Sequence, residues 1–338
     1  MLVVPNIAAD RPDGLVDSFG RRITYVRLSV TDRCDLRCRY CMAEHMQFLP
    51  KRDILTLEEM IELSDILIAR GVRKIRLTGG EPLVRKGMME LVRALGSRLG
   101  AGLEELVLTT NGTRLEEFAA ELHDAGIRRI NVSLDSRRPG RFGHITRGGD
   151  LERVLRGIDA ALTVGLAVKI NMVALAGIND DEIEGMLRWC ASMAMELTLI
   201  ETMPLGDVEE DRTDHYLPLD AVKRGLEESF TLVPSTKRTG GPARYFDVVE
   251  LRSRLGLITP LTNNFCEGCN RIRIAATGTV YGCLGHDQKV ELRDALRSGG
   301  REEVDRLLHR LLAGKPRRHD FQIGGAPAVA RHMSVTGG

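Results

Sequence analysis

A chain of 338 residues, 43 % of them hydrophobic, can bury one large core, or one core and a smaller satellite. Its 48 Lys and Arg balance 47 Asp and Glu, a net charge of +1 that argues against a general binder of nucleic acid or anionic membrane. No apolar run reaches the ~18 residues a membrane span needs, and Met1–Pro5 has no basic segment ahead of an apolar one, so the expected location is the cytoplasm, where thiols stay reduced.

Residues 1–20 mix Gly, Pro and Asp without periodicity and read as a mobile or wrapping lead-in. Ile23–Thr31 alternates as a first strand and runs into Cys34-Asp35-Leu36-Arg37-Cys38-Arg39-Tyr40-Cys41. Thr56-Leu57-Glu58-Glu59 is a capping box; the helix behind it puts Leu57, Met60, Ile61, Leu67 and Ile68 on one face and stops at Gly71. A rhythm follows: strands at Lys74–Thr78, Glu105–Thr110, Arg128–Leu134, Leu166–Leu175 and Met195–Met203, with helices near 87–98, 114–125, 150–164 and 181–193. Gly126 and Gly165 sit where helices should end. Six strand–helix units imply an α/β fold with a parallel sheet and helices outside it. A doubly wound sheet fits the rhythm as well, but Gly-x-Gly-x-x-Gly is absent.

In such folds function gathers at the C-terminal ends of the strands. There the chain places the three cysteines, Thr78-Gly79-Gly80-Glu81-Pro82, Thr109-Thr110-Asn111-Gly112 and Ser133-Leu134-Asp135-Ser136. Ordinary turn chemistry explains any one of these; small polar residues at strand end after strand end are less ordinary. After Met203 the rhythm breaks. Pro204–Tyr216 reads as an acidic loop, Leu219–Phe230 as a helix, 236–242 as a loop carrying Gly240-Gly241-Pro242, and 289–298 and 301–313 as helical runs. A boundary near 217 divides the chain into 1–217 and 218–338.

Seven cysteines in a long chain do not suggest a disulfide framework. Cys34, Cys38 and Cys41 can hold three irons of a cubane and leave the fourth open, since such clusters take one cysteine per iron. Spacing alone equally allows a zinc site completed by His45. Cys266, Cys269 and Cys283 form Cys-x2-Cys-x13-Cys; with His286 they make an acceptable zinc finger, and spacing alone favours zinc there. Cys190, beside Trp189, reads as a buried core thiol.

Cys-x3-Cys-x2-Cys with Tyr40 before the last cysteine resembles the signature of the radical S-adenosylmethionine (SAM) superfamily, and Gly79-Gly80-Glu81-Pro82 resembles its SAM-binding segment. Three further stretches resemble the GTP 3′,8-cyclase family of molybdenum-cofactor biosynthesis: Asn264 to Arg273, Gly241-Pro242-Ala243-Arg244-Tyr245-Phe246, and the tail Met333 to Gly338. The resemblance covers nearly all the chain from Ser18 onward. It implies an incomplete (βα)6 TIM-like barrel closed by a C-terminal cluster-binding region. It implies two 4Fe–4S clusters, on Cys34, Cys38 and Cys41 and on Cys266, Cys269 and Cys283, with SAM at the first and GTP at the second. Tyr40, Gly80, Ser133 and Met203 match SAM-contacting positions. Arg27, Arg76, Thr109, Lys169, Arg271, Ile272 and Arg273 match the substrate-binding ones, with Arg271 and Arg273 also candidates to act on the rearranging purine.

The residue types agree, because a triphosphate needs converging cations and Arg forks suit phosphate oxygens. Arg27, Arg76 and Lys169 occupy alternate strand positions that can share the barrel interior. The implied reaction is cyclisation of GTP to 3′,8-cyclo-7,8-dihydro-GTP. The implied partners are a second copy of the chain, an external electron donor and a pyranopterin-forming enzyme that takes the product. The Gly337-Gly338 tail is expected to thread into the site. Two positions depart from the family pattern: Thr198 stands where an Arg is usual, and Leu284-Gly285-His286 replaces Leu-Phe after Cys283. The rival readings are a radical SAM enzyme that matures a peptide and a non-catalytic zinc-stabilised nucleotide-binding module.

Overall fold

A computed structural model describes residues 14–206, 214–322 and 327–337; the expectations for residues 1–13, for 207–213 of the acidic loop and for Gly338 lie outside the described residues. The six expected strands are present as β1 (Tyr25–Ser29), β2 (Lys74–Thr78), β3 (Glu105–Thr110), β4 (Arg129–Ser133), β5 (Ala167–Val173) and β6 (Glu196–Ile200). They lie side by side in chain order, all parallel. Between them run α1 (Leu57–Ala69), α2 (Met88–Gly96), α3 (Leu115–Asp124), α4 (Pro139–Thr146), α5 (Leu151–Thr163) and α6 (Ile183–Ser192).

The period of two along each strand sorts residues between two environments. Val26, Ile75, Leu106, Ile130, Val168 and Leu197 join Met60, Leu67, Val92, Leu122, Ile158 and Leu187 of the helices in one apolar core. Their neighbours Arg27, Arg76, Asn131, Lys169 and Thr198 turn the other way and line a hollow. The Thr56 capping box forms as expected, with Thr56 accepting from Glu59 N and the Glu59 carboxylate from Thr56 N. The buried face of α1 is Met60, Leu63, Ser64, Ile66, Leu67 and Ile68, while Leu57 and Ile61 are only half-buried. Helix α4 was not anticipated: Pro139, Gly140 and Gly143 hide its period, but Pro suits a first turn and Phe142 and Ile145 anchor it.

The C-terminal third differs most from expectation. After α7 (Leu219–Leu226) come six short strands: β7 (Leu232–Pro234), β8 (Arg244–Val248), β9 (Ser253–Ile258), β10 (Arg271–Ile274), β11 (Thr279–Tyr281) and β12 (Lys289–Glu291). Strand β10 adds parallel to β1, and β9 adds parallel to β6. Antiparallel partners extend both sides, giving the order β12-β11-β10-β1-β2-β3-β4-β5-β6-β9-β8-β7. The sheet is unclosed, a partial barrel whose two flanks come from the C-terminal region. The run expected as helical at 289–298 begins instead as β12 and is helical only in its second part, as a π-helix over Ala295–Gly299 that leads into α8. Pairing with β11 decides the first part, and context of this kind overrides local pattern in short strands. Helix α8 (Gly300–Ala313) matches the expected 301–313, and α9 (Met333–Thr336) carries the tail back toward β1.

Candidate active site

Two adjoining cavities occupy the barrel, with about 1090 Å³ of unfilled space in the upper and 1120 Å³ in the lower, open mouths included. Asn171, Ile200, Met203 and Met333 line both.

The upper cavity lies at the strand C-termini and gathers Cys34, Cys38, Cys41, Tyr40, Gly80, Ser133 and Met203. The cysteine loop is held by backbone bonds from Arg37 N to Thr146 O and Arg39 N to Ile145 O, so the unanticipated α4 is its support. Tyr40 donates to Asp135 Oδ2 at 2.7 Å, and Asp135 Oδ1 accepts from Val173 N at 2.8 Å. Gly80 passes so close to the loop that a Cβ there would lie 2.3 Å from Arg33 O. Glu81, fully buried, fixes the next turn by accepting from Leu83 N, Thr110 Oγ1 and Asn111 N. Burial pushes the Cys34 thiol up to about 12 and Cys38 well above the usual range, with nearby carboxylates and thiols adding to the effect. Such thiols give up their protons only to a positive centre.

The lower cavity is built from cations. Cross-strand register sets Arg273, Arg27 and Arg76 side by side on β10, β1 and β2. The row beneath reads Arg271, Tyr25, Lys74. Lys169 stands across the barrel on β5, and Arg129 on β4 completes the ring. Like charges directly opposite on a sheet repel, and here they are also buried. Neighbouring side chains meet this in part. Arg76 donates to Tyr25 Oη at 2.6 Å and to Thr109 Oγ1 at 2.8 Å. Burial would raise the Tyr25 phenol, but Arg76, Arg27 and Lys74 together draw it down to about 7. Burial lowers Lys169 to about 7 despite Glu196 at 3.7 Å, and its Nζ also meets Tyr245 Oη. Arg27 Nε and Nη2 are sealed from solvent and have no hydrogen-bond partner among the described residues. Burial lowers Arg273 well below the usual guanidinium range, and its Nη1 donates to Gly337 O at 2.9 Å.

Cys266, Cys269 and Cys283 form the rim of this cavity. Burial raises the Cys266 thiol, as in the first triad, but Cys269 sits in electrically opposite surroundings. Burial raises Cys269, but Arg271 and Lys315 outweigh it and bring the thiol to about 7. Lys315 is 2 % exposed, donates to Gly282 O and lies 3.6 Å from Cys269 Sγ. Arg21 ties the lead-in to the same rim through Cys266 O at 2.8 Å and Pro316 O at 2.7 Å. His286 turns to Arg318 O at 3.0 Å, and the space above Gly285 is filled by Phe321 from the C-terminal segment. Among the described residues no three His, Cys, Asp or Glu side chains converge on a single-ion point.

The sequence-predicted residues lie along these two cavities, with two qualifications. Thr109 lines the upper cavity and reaches the lower one through Arg76. Ile272 lies between Arg271 and Arg273 with its side chain 1 % exposed in the apolar core, so strand alternation keeps that side chain out of the cavity. Sequence reasoning missed Tyr25, Lys74, Arg129, Tyr245 and His319, all of which line the lower cavity. Lys74 and Tyr25 each lie two residues before a predicted arginine, a signal that was available. Thr198 Oγ1 is buried in the same cavity without a partner among the described residues.

Comparison with known proteins gives the following. Residues 28–190 match the radical SAM superfamily, and 195–321 match molybdenum cofactor synthesis C. A GTP 3′,8-cyclase of Sinorhizobium medicae is 60 % identical over 96 % of this chain and 94 % of its own. That of Rhodopseudomonas palustris is 55 % identical over 99 % and 98 %, and that of Brucella ovis 56 % over 96 % of each. Among solved structures, Streptococcus suis SuiB bound to S-adenosylmethionine aligns with a TM-score of 0.61 at 14 % identity, over 93 % of this chain and 77 % of that one, a likeness of fold.

Proposed function

The chain belongs to the GTP 3′,8-cyclase family within the radical SAM superfamily, and from that membership we propose how its residues divide the work. It cyclises GTP to 3′,8-cyclo-7,8-dihydro-GTP, the first step of molybdenum-cofactor biosynthesis, using SAM and 4Fe–4S clusters. Cys34, Cys38 and Cys41 would hold the first cluster, and Cys266, Cys269 and Cys283 the second. When bound, the reduced first cluster and SAM supply a carbon radical able to take hydrogen from an unactivated C–H bond.

The remaining work falls to side chains. Tyr40, Gly80, Ser133 and Met203 shape the SAM pocket. Arg27, Arg76, Arg271, Arg273, Lys74 and Lys169 grip the triphosphate, holding ribose C3′ near guanine C8 so that ring closure becomes a proximity problem already solved. Ile200, Met203 and Met333 put apolar surface where the cavities meet, which keeps water from the reacting atoms. Arg271 and Arg273 offer positive charge to the rearranging purine. Residues 1–217 supply the SAM half, and 218–338 the second cluster, the flanking strands and the tail. The single observation that carries the substrate reading is the row Arg273–Arg27–Arg76, with Arg27 nitrogens that are sealed from solvent and have no partner among the described residues, which asks for a polyanion. A homodimer, an external electron donor, a cytoplasmic location and transfer of the product to a pyranopterin-forming enzyme complete the reading; no helix of the described chain is long and apolar enough to cross a membrane.

Anaerobic turnover with GTP deuterated at C3′ tests the assignment. The 5′-deoxyadenosine formed should gain one deuterium; unlabelled 5′-deoxyadenosine would mean that C3′ is not the site of abstraction. The tail has its own test. Gly337 lies against Thr78, where a Cβ would come 2.1 Å from Cγ2, at a φ of +73°. A chain ending at Thr336 is expected to lose at least about 1.4 kcal/mol of transition-state stabilisation, a tenfold drop in cyclisation. Unchanged turnover would reduce the tail to packing.

A further inference from the structure

On the rim of the lower cavity, His319 is held between two phenylalanines. Its ring stacks on Phe321 at 4.3 Å and 28°, and meets Phe265 edge-on at 6.2 Å. The pair is seated on the Cys283 loop at Gly285, where a Cβ would lie 2.6 Å from Phe321 Cε1 and 3.0 Å from His319 Cβ. A side chain at 285 would therefore push on the Phe321 ring and crowd the His319 Cβ, disturbing the stack. All three rings line the same cavity as Cys266, Cys269 and Cys283.

The two ring nitrogens are not equivalent. Nδ1 accepts from Phe321 N at 3.4 Å, which leaves the ring hydrogen on Nε2. Nε2 is sealed from solvent and has no partner among the described residues. A buried donor without an acceptor costs stability, and a rigidly mounted one in a ligand cavity is what base recognition requires. The cations on the strands account for the phosphates, and apart from Arg271 and Arg273 the groups left to meet the base lie on this rim. The rim offers flat aromatic surface and one oriented donor, and neither is used by the assignments made above.

We propose that His319 is a specificity-determining residue that donates from Nε2 to O6 of the guanine. At that edge guanine presents an acceptor where adenine presents an amino donor, so a fixed N–H there selects between the two purines. This inference rests on the GTP reading. It adds to that reading a residue and an atom of the base.

The test is nucleotide binding by the anaerobically reconstituted holoprotein, with GTP and with 2-aminopurine riboside triphosphate, which lacks O6. Wild type should prefer GTP by about tenfold or more, as expected where a buried donor is left unpaired by the analogue. His319→Phe should bring the ratio close to one by weakening GTP alone. His319→Gln, which keeps a side-chain N–H, should restore a large part of the preference. Equal weakening of both nucleotides by His319→Phe would overturn the proposal, as would loss of second-cluster iron, which would make His319 a ligand or a scaffold. Wild type that binds no GTP would sink the substrate reading itself, a result distinct from an unchanged ratio.

Discussion

Gly80→Ala is expected to lower SAM cleavage about a hundredfold or more while the protein still folds and still binds GTP. The atoms an alanine Cβ would meet are all backbone: Arg33 O at 2.3 Å, Arg33 C at 2.5 Å and Asp32 O at 2.8 Å. No rotamer change relieves such an overlap, so one backbone must retreat by about an ångström, and displacements of that size in a catalytic constellation cost about a hundredfold. The segment that retreats leads into Cys34. Two bonds stitch it to the glycine turn, Gly80 N to Thr31 O at 2.9 Å and Glu81 N to Arg33 O at 2.8 Å, so movement of either strand end carries the other. The effect should appear as lost 5′-deoxyadenosine formation even without GTP, with iron at the second triad unchanged. A Gly80→Ala protein that cleaves SAM at the wild-type rate would show that the close approach does not matter.

Arg27→Leu is expected to move binding and stability in opposite directions. Arg27 has Arg76 on one side, Arg273 on the other, and two nitrogens with no partner among the described residues. In the nucleotide-free protein Tyr25 offsets only part of its desolvation and of its repulsion from Arg76 and Arg271, and replacing buried charged groups by apolar side chains of similar volume often stabilises by about 1–4 kcal/mol. In the complex its fork would meet phosphate, and loss of a charge-assisted contact of about 1.5–3 kcal/mol weakens binding by roughly ten- to a hundredfold. Thermal unfolding of the apo protein should therefore rise while the Kd for GTP increases. A variant that unfolds earlier and binds GTP unchanged would remove Arg27 from the phosphate site and make it structural.

The parallel half of the fold was legible because each of its signals is local and repeated. A capping box opens α1, runs such as Lys-Ile-Arg-Leu-Thr alternate, and glycines close the helices. The flanking strands were not legible. They are three to six residues long, and β10 becomes a strand only because β1, far away in the chain, offers it an edge. The same contrast divides the site. Arg27, Arg76 and Lys169 could be placed in the barrel by alternation, and the rule that admits them also admits Tyr25 and Lys74 and excludes Ile272. His319 has no such rule. Its place depends on Gly285 leaving room and on Phe321 returning from beyond α8, a meeting of segments that no spacing encodes.

The pairing of β1 with β10 also sets a timetable. Tyr25 faces Arg271, so the first strand has to wait for roughly 240 further residues before one of its edges is covered. At ~5–20 residues per second that is about 12–50 s of synthesis. Strand β6 has a shorter wait, for β9. A nascent chain of this protein therefore carries an open β-edge, next to a row of arginines and a loop of reduced thiols, for most of its time on the ribosome. Exposed edges recruit other chains. Slower growth temperatures and early iron supply should raise the yield of assembled protein more than any change to its finished core.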